Sequence, residues 1–356
     1  MACSNSEAMV TTVIPTYRRP KLLRRAIKSV LAQTYPHLQV CVYDNASGDE
    51  TAAVVRELAE TDPRVKYHCH AENIGALRNF SYGMEKVDTP FFSLLSDDDI
   101  LLPDFLQKAL EGFGKHPEAI FSSLATIHID ETGKVMCVPL LAWQAGFYPA
   151  PEGLRAMLKY CHPEWTAILF RREVMEKVGS LDEETGAPAD LDYELRTAAR
   201  WPIVISREPG AVFVSHPTSL TSTQRLESLW PAWQKMIRNM VEDERIPYDV
   251  RLYSKESMLH FFRSNYIPLG GLSFIVNRDW RGVEQAAAIL GHDYHRRCQA
   301  LLLQGLSWTA QHLPPIYYVL SGLNGIRRSV RPLMNRGIQS KFGAHARLLD
   351  TANASG

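Results

Sequence analysis

The first hundred residues switch repeatedly between the hydrophobic period of a strand and that of a helix. Short apolar or β-branched runs occupy four segments: 10–15, 40–44, 65–70 and 91–95. After Pro20, apolar residues recur at helical spacing: Leu23, Ala26, Ile27, Val30 and Leu31. Further helices are predicted up to Leu58, opened by a capping box of Ser47 and Glu50, and over 74–87. Apolar strands that alternate with helices predict an α/β fold with a mostly parallel sheet flanked by helices.

A second pattern begins near residue 118. A hairpin is predicted over 118–141, a strand over 166–170 and a helix over 190–200. Two more predicted strands, 202–206 and 210–215, end just before His216. Beyond residue 222 the spacing is mainly helical, in four segments: 226–242, 252–264, 281–305 and 316–331. We therefore expect a first domain over 1–222, with halves 9–117 and 118–222, and a mainly α-helical C-terminal extension over 223–356.

Composition narrows the function classes. The 39 Lys and Arg residues balance 39 Asp and Glu residues, which argues against a nucleic-acid partner. The six cysteines include no CxxC pair, so a zinc ribbon and a disulfide framework are not expected, and a cytoplasmic location fits best. Cys41 and Cys69 lie in strand-like runs and are expected to be buried. Neither a signal peptide nor a transmembrane segment is predicted.

Acidic side chains stand at the carboxyl ends of the predicted strands. Asp44 ends the second strand, and the run 97–99 of three aspartates follows the fourth. Ligands of parallel α/β sheets bind at these ends. Consecutive aspartates repel one another, and a Mg²⁺ or Mn²⁺ ion with oxygen ligands would relieve that repulsion. The alternative is that these acids favour the N-terminal dipole of the next helix.

Two further positions have a functional and a structural interpretation. As a ligand residue, Asp44 would accept a hydrogen bond from a ribose hydroxyl or a base N–H; as a structural residue, it would start a turn. Arg78 would bind a phosphate or lie on a solvated helix face. The chain has no dinucleotide-binding glycine fingerprint and no Walker A sequence, which argues against a dehydrogenase and a P-loop NTPase.

Sequence blocks in a fixed order resemble a known family. They are IPTYRRPKLLRRAIKSVLAQTYPHLQVCVYDNASGDET, ENIGALRNF, SLLSDDDILLPDFL, EWTAILFRREVMEKVGSLDEE, ADLDYELRTAARWP and FVSHPTSLTS. Over roughly residues 9–225 the chain resembles glycosyltransferase family 2, whose members have the GT-A fold, a Rossmann-like sheet, and use nucleotide-sugar donors. Residues beyond 225 match no family that we can name.

The resemblance implies roles for residues of the first half. The nucleoside pocket would be lined by Pro15, Thr16, Tyr17 and Asp44, with Asp44 against the base. Arg78 would approach the base or the phosphates, and Asp97 would lie near the ribose.

The resemblance also implies a bound metal ion, Mn²⁺ or Mg²⁺, joined to the diphosphate. Asp98 would bind it, and Asp99 is a second candidate because the family often has an acid where Ser96 stands here. His216 matches a position that contacts the metal or the diphosphate. Its alternative is a strand-end histidine packed near Pro217.

The implied catalytic base is Asp190, six residues before Arg196. Asp192 is the rival and would lie on a different face of the helix. Trp165 would face the acceptor, where an aromatic plane suits a sugar ring, although core packing explains it equally well.

These roles together imply a metal-dependent inverting transferase of the hexosyltransferase type. Its donor would be a nucleotide sugar, most simply a UDP-sugar, and its acceptor hydroxyl would belong to a glycan, a lipid-linked glycan or a small molecule. Surface polysaccharide or lipid-linked glycan assembly is the expected setting, and natural products or proteins are alternative acceptors. A nucleotidyltransferase is disfavoured because IPTYRRP lacks glycines. A rival of another class is a non-catalytic nucleotide-sugar-binding protein.

The end of the chain has two interpretations. An apolar stretch from Leu313 gives way to scattered arginines, which fits peripheral contact with an anionic membrane on its cytoplasmic face. The alternative is a docked helix with a basic tail. A homo-oligomer is compatible with this sequence.

Overall fold

The computed structural model describes residues 9–216, 225–267, 274–313, 315–321 and 336–346. These residues form two compact units: one contains 9–216 and 338–346, and the other contains the described residues from 225 to 337. The domain boundary predicted at residue 222 lies outside the described residues and stays a prediction.

The first unit is built on a ten-stranded sheet. Its strands are β1 (Val10–Thr16), β2 (Leu38–Asp44), β3 (Val65–Cys69), β4 (Phe91–Leu94), β5 (Ile100–Leu101), β6 (Phe121–Asp130), β7 (Val135–Cys137), β8 (Gly146–Tyr148), β9 (Ile168–Arg171) and β10 (Ile203–Ser215). They run in the order β3-β2-β1-β4-β9-β6-β10-β5, with β7 beside β6 and β8 beside β10. The first four strands of this order are parallel, and β10 is parallel to β6. The predicted mostly parallel α/β sheet is therefore confirmed.

Helices flank this sheet. They are α1 (Pro20–Leu31), α2 (Thr51–Thr61), α3 (Ala76–Glu85), α4 (Phe105–Lys115), α5 (Glu152–Lys159), α6 (Val174–Val178) and α7 (Ala189–Ala198). The predicted stripe of α1 is buried from Leu23 to Val30 and packs in the core with β1 and β2. The capping box is wrong: α2 begins at Thr51 without a side-chain cap, because the Ser47 hydroxyl accepts a hydrogen bond from the Arg18 backbone N–H instead.

Strand β10 corrects the sequence prediction in the second half. The predicted strands 202–206 and 210–215 form one strand with a bulge around Pro209. The next residue, Gly210, packs so closely that a Cβ atom there would lie 2.6 Å from Leu124 Cβ. Pro209 and Gly210 interrupt the alternation of apolar residues, which is why the sequence of this single strand predicts two strands. The predicted hairpin forms as β6 and β7.

The second unit is helical in its described residues. It contains α8 (Leu226–Glu242), α9 (Tyr248–Asn265), α10 (Trp280–His292) and α11 (Arg297–His312). A last helix, α12 (Arg336–Ala346), consists mostly of residues that belong to the first unit. The predicted helix 281–305 is two helices, because the chain turns before α11 with His295 at a φ of 53°. Of the predicted helix 316–331, only residues up to 321 are described, and they are helical.

Two smaller expectations differ in outcome. Cys41 is buried as predicted, whereas Cys69 is exposed, because it ends β3 at the edge of the sheet.

Within the described part of the chain, no helix has the length and apolar character needed to cross a membrane.

Candidate active site

The predicted nucleotide-site residues converge at the carboxyl ends of β1, β2 and β4. Thr16 is paired in register with Asp44. Its hydroxyl donates a hydrogen bond to Asp97 Oδ2 over 2.7 Å. Because β4 lies beside β1, the loop after β4 brings the aspartates 97–99 to the end of β1. Pro15 is buried within β1, and Tyr17, just beyond it, is 38% exposed.

Arg19, which was not among the site residues expected from the sequence, holds the first two aspartates together. Arg19 Nη1 donates to Asp97 Oδ1 over 3.1 Å and to Asp98 Oδ2 over 2.7 Å. Burial, and then the charge of Asp98, raise the pKa of Asp97 to about 6, against the lowering effect of hydrogen bonds from Thr16 and Arg19. The arginine pair after β1 was the available signal, since a cation beside consecutive acids reduces their repulsion.

The third aspartate points into the protein. Asp99 is 1% exposed; its Oδ2 accepts from the Thr166 hydroxyl over 2.7 Å and its Oδ1 from the Val214 N–H over 3.0 Å. Burial, and then the charge of Asp98, raise its pKa well above the usual value. Asp99 therefore joins three segments of the fold, and its carboxylate oxygens have partners within the protein.

Asp98 and His216 meet although 118 positions separate them. The short strand β5 pairs antiparallel with β10, with Ile100 opposite Val212, so the residues before β5 lie near the end of β10. As a result, Asp98 Oδ2 lies 2.7 Å from His216 Nε2. Both side chains are mostly buried, with exposed fractions of 13% and 11%.

This pair of side chains fits a divalent ion that takes most of its ligands from elsewhere. Carboxylate oxygen and imidazole nitrogen are both ligands of Mn²⁺, and Mg²⁺ is commonly held by one or two carboxylates together with substrate phosphates. In the described part of the chain, no three His, Cys, Asp or Glu residues are grouped to hold a metal. Asp98 and His216 would therefore contribute two ligands, and diphosphate and water the rest.

Asp44 starts a turn, as its structural interpretation predicts. It is 1% exposed, and its Oδ1 accepts from the Ser47 N–H over 2.9 Å. Its Oδ2 accepts from the Tyr67 hydroxyl over 2.6 Å, and burial together with this hydrogen bond raises the pKa of Tyr67. Each carboxylate oxygen retains a second lone pair for a nucleoside.

Arg78 lies on the surface and forms an ion pair with a residue that is distant in the sequence of the same unit. Its Nε donates to Glu183 Oε2 over 2.8 Å, and its side chain is 66% exposed. Glu183 comes six residues before α7, so this ion pair connects α3 with the segment that leads to Asp190. An exposed ion pair contributes little stability, which leaves Arg78 able to exchange its partner for a phosphate.

The two catalytic-base candidates occupy different environments on α7. Asp192 is 1% exposed, and its Oδ2 accepts from Arg196 Nε over 2.7 Å. Asp190 is half-buried, and its Oδ1 accepts from the Leu191 N–H. Burial raises the pKa of Asp190, and the charge of His162 opposes that rise. Of the two carboxylates, Asp190 is thus the one with access to solvent.

A buried charged cluster that was not expected from the sequence accompanies Asp190. Glu194, one helical turn along, is 0% exposed, and its Oε2 lies 3.3 Å from His162 Nδ1. Glu164 Oε1 lies 3.3 Å from His128 Nε2. Burial raises the pKa of Glu194 to about 8, against the hydrogen bond from His162. Burial lowers the pKa of His162, but the hydrogen bond and charge of Glu194, with the charges of Glu164 and Asp190, outweigh it, and the net shift is well upward.

Trp165 belongs to an aromatic cluster. Its ring centroid lies 6.0 Å from that of Phe80, 6.5 Å from that of Phe170 and 6.2 Å from that of Tyr193. These contacts are the core packing that the structural interpretation of Trp165 predicts. Its buried indole N–H has no hydrogen-bond partner among the described residues.

Comparisons with known proteins identify a family and a fold that this chain shares. Residues 11–179 match the family model described as glycosyl transferase family 2. A GalNAc(5)-diNAcBac-PP-undecaprenol beta-1,3-glucosyltransferase of Campylobacter jejuni is 36% identical over 109 residues, which are 29% of this chain and 35% of that protein. An uncharacterised glycosyltransferase of Rickettsia felis is 24% identical over 73% of this chain and 43% of its own length. The chain thus spans less than half the length of these relatives.

Solved structures share the fold at low sequence identity. S. aureus TarS in complex with UDP-GlcNAc matches with a TM-score of 0.64 and 14% identity, over 90% of this chain and 92% of its own. The mannosyltransferase PcManGT from Pyrobaculum calidifontis, in complex with GDP-Man and Mn²⁺, matches with a TM-score of 0.50 and 17% identity, over 92% and 88%. Residues 11–179 of this chain therefore form a glycosyl transferase family 2 domain with the GT-A fold.

Proposed function

We propose that this chain is a metal-dependent inverting glycosyltransferase of the hexosyl type. The observation that carries the proposal is the 2.7 Å contact between Asp98 Oδ2 and His216 Nε2. It unites a carboxylate and an imidazole at the strand ends where α/β sheets bind nucleotides. The proposed catalytic domain covers 1–222, with the nucleotide-binding half over 9–117, the acceptor half over 118–222 and a helical region over 223–356.

The proposed donor is a UDP-sugar. TarS, which shares the fold, is solved with UDP-GlcNAc and with UDP. The nucleoside would contact Pro15, Thr16, Tyr17 and Asp44, with Asp97 near the ribose. Support comes from the convergence of these residues at one edge of the sheet. GDP, the nucleotide of the PcManGT complex, is the alternative.

The diphosphate would lie against Asp98 and His216, which would hold Mn²⁺ or Mg²⁺. When bound, the ion supplies Lewis-acid neutralisation of the negative charge on the departing diphosphate. We propose Asp98 rather than Asp99 as the main ligand, since the Asp99 oxygens bond to Thr166 and Val214. Arg19 places a guanidinium beside Asp98, and Arg78 would add a second cation by exchanging Glu183 for a phosphate.

Asp190 is the proposed general base. It would take the proton from the acceptor hydroxyl while that oxygen bonds to the anomeric carbon and the bond from this carbon to the diphosphate oxygen breaks. Attack opposite the leaving group inverts the configuration, by the single-displacement logic of inverting glycosidases. The buried ion pair of Asp192 with Arg196 supports Asp190 over its rival. Trp165 would face the acceptor sugar through its indole.

The proposed acceptor is a hydroxyl of a lipid-linked glycan or a surface polysaccharide. The Campylobacter jejuni relative is named for an undecaprenol-linked glycan, and we propose a related cytoplasmic-face setting here. Natural products and proteins remain alternative acceptors.

Isothermal titration calorimetry of UDP, GDP and their sugars, with and without Mn²⁺, tests the donor assignment. We expect UDP to bind with at least about tenfold higher affinity when Mn²⁺ is present. Equal binding with and without Mn²⁺ would contradict the metal site, and preferential GDP binding would contradict the donor. A protein that binds UDP-sugars but never turns them over would be the non-catalytic alternative.

A further inference from the structure

The outward face of α11 is apolar. The exposed fractions are 66% for Leu301, 73% for Leu302, 38% for Leu306 and 60% for Trp308. We call these four side chains the leucine face. On the opposite side of the helix, Ala300, Ser307 and Ala310 are buried. Because residues three, four and seven apart share a helix face, α11 presents these small residues and Leu303 to its own unit, and the leucine face to solvent.

The core of the second unit does not account for the leucine face. Ala310 packs with Ile275 and Val283 in a hydrophobic cluster, so α11 is already anchored by its small-residue side. Large exposed apolar patches mark sites where another surface binds. Past α11, Tyr318 and Val319 are also largely exposed, at 69% and 61%.

The charges in the sequence around α11 indicate which kind of surface the leucine face binds. Residues 298–326 contain no Asp, Glu, Lys or Arg, and a pair of arginines stands at each end of this stretch, 296–297 and 327–328. Between Asp293 and Asp350 there is no acidic residue and there are eight cationic ones. They are Arg296, Arg297, Arg327, Arg328, Arg331, Arg336, Lys341 and Arg347.

We propose that the leucine face binds an anionic phospholipid surface. Its leucines and tryptophan would enter the boundary between headgroups and acyl chains, while the exposed Arg296 and Arg297 at the start of α11 would contact lipid phosphates. Arginines near an anionic surface each add attraction, and an acid-free segment meets no repulsion from that surface. The proposal goes beyond the transfer reaction, and its test measures lipid binding, so it can fail while the proposed function stands.

Co-sedimentation of the full 356-residue chain with vesicles tests it. One set of vesicles contains phosphatidylcholine alone, and the other contains equal parts of phosphatidylcholine and phosphatidylglycerol. We expect binding to the anionic vesicles and at least about tenfold weaker binding to the neutral ones. The double variant Leu302→Ser, Trp308→Ser should lose at least about tenfold in partitioning to anionic vesicles.

A matched control comes from α9, where Tyr248 and Leu252 are 72% and 46% exposed. The double variant Tyr248→Ser, Leu252→Ser should bind anionic vesicles like the unmodified chain. Because all four substituted side chains are exposed, both variants should keep the melting temperature and UDP affinity of the parent. Equal losses in the two double variants would overturn the proposal.

A spectroscopic measurement tests the same orientation. Brominated phosphatidylglycerol should quench the tryptophan fluorescence of the parent chain more than that of Trp308→Phe, which keeps an apolar ring at this position. Equal quenching would overturn the proposal. A change of oligomeric state in Leu302→Ser, Trp308→Ser without lipid, measured by sedimentation velocity, would also overturn it by making the face a protein interface.

Discussion

Asp192 and Arg196 form an ion pair one helical turn apart on α7, with 2.7 Å between Oδ2 and Nε and side chains that are 2% and 12% exposed. Arg196 also donates to the Val178 carbonyl, so this pair fastens α7 to the end of α6. We therefore expect Asp192→Asn to act on stability. It should lower the free energy of unfolding by about 3 kcal/mol, as expected for a buried charge left without its partner, in urea denaturation monitored by circular dichroism. An unchanged unfolding midpoint would contradict this role.

Asp98 should matter for the metal-dependent part of donor binding. Asp98→Ala removes a carboxylate that lies 2.7 Å from His216 Nε2, so we expect the increase in UDP affinity on adding Mn²⁺ to disappear in calorimetry. Asp104→Ala is the control, because the Asp104 side chain is 55% exposed and Asp104 is not one of the proposed metal ligands. A full Mn²⁺ effect in Asp98→Ala would remove Asp98 from the metal site.

The pH dependence of transfer should report the environment of Asp190. Burial raises the pKa of this carboxyl, and a base must be deprotonated to act, so kcat/KM should rise with pH to a midpoint above the ordinary aspartate range. The cation on His162 opposes the rise. His162→Gln should therefore move the midpoint further upward, whereas His292→Gln, at an exposed histidine of α10, should not. Coincident profiles of His162→Gln and the parent would contradict this coupling.

The stability of the fold should also depend on pH through Glu194. Its pKa is raised to about 8 in the folded protein, and that of His162 is raised as well. The folded state therefore binds more protons than the unfolded state above the ordinary glutamate pKa, so these groups make stability fall as pH rises toward 8. Glu164, Asp190 and His128 also face this cluster. Glu194→Gln cannot ionise, so its unfolding free energy should fall less steeply with pH than that of the parent. Parallel curves would contradict this account.

Two glycines of α4 give a test of its packing on the sheet. A Cβ atom at Gly112 would lie 2.5 Å from Ser122 Oγ and 3.3 Å from Val204 Cγ1, whereas one at Gly114 would have no neighbour within 4 Å. Gly112→Ala should destabilise the protein by about 1–3 kcal/mol through overpacking. Gly114→Ala should stabilise it by about 0.5–1 kcal/mol through helix propensity. Equal effects in chemical denaturation would contradict the packing of α4.

Local patterns predicted the parts of the fold that depend on neighbouring residues. The apolar strands and the stripe of α1 follow from their periods, and the positions of Asp44 and the aspartate run follow from strand ends. The pairing of β5 with β10 escaped prediction, because a strand of two residues, Ile100–Leu101, has no period to detect. Without that pairing, the approach of Asp98 to His216 follows only from the family resemblance.

The buried charges were harder to predict. Glu194 is fully buried between Tyr193 and Leu195, whereas a glutamate is expected at the surface, since charged residues are rarely fully buried unless they are paired. Its partner His162 belongs to a segment before Trp165 with no regular period, so only the folded chain brings the two together. Arg19 resembles a solvated arginine in sequence, and its contacts with Asp97 and Asp98 depend on how β1 and β4 pair.

The most direct test of the central claim is the release of UDP from UDP-sugars in the presence of Mn²⁺, compared between the parent and Asp190→Asn. A panel containing UDP-glucose, UDP-GlcNAc and UDP-GalNAc, offered with lipid-linked glycan acceptors, covers the proposed donors. We expect turnover by the parent, a loss of at least about 100-fold in Asp190→Asn, as for removal of a general base, and unchanged UDP affinity in that variant. Turnover of Asp190→Asn at the parent rate would contradict the account.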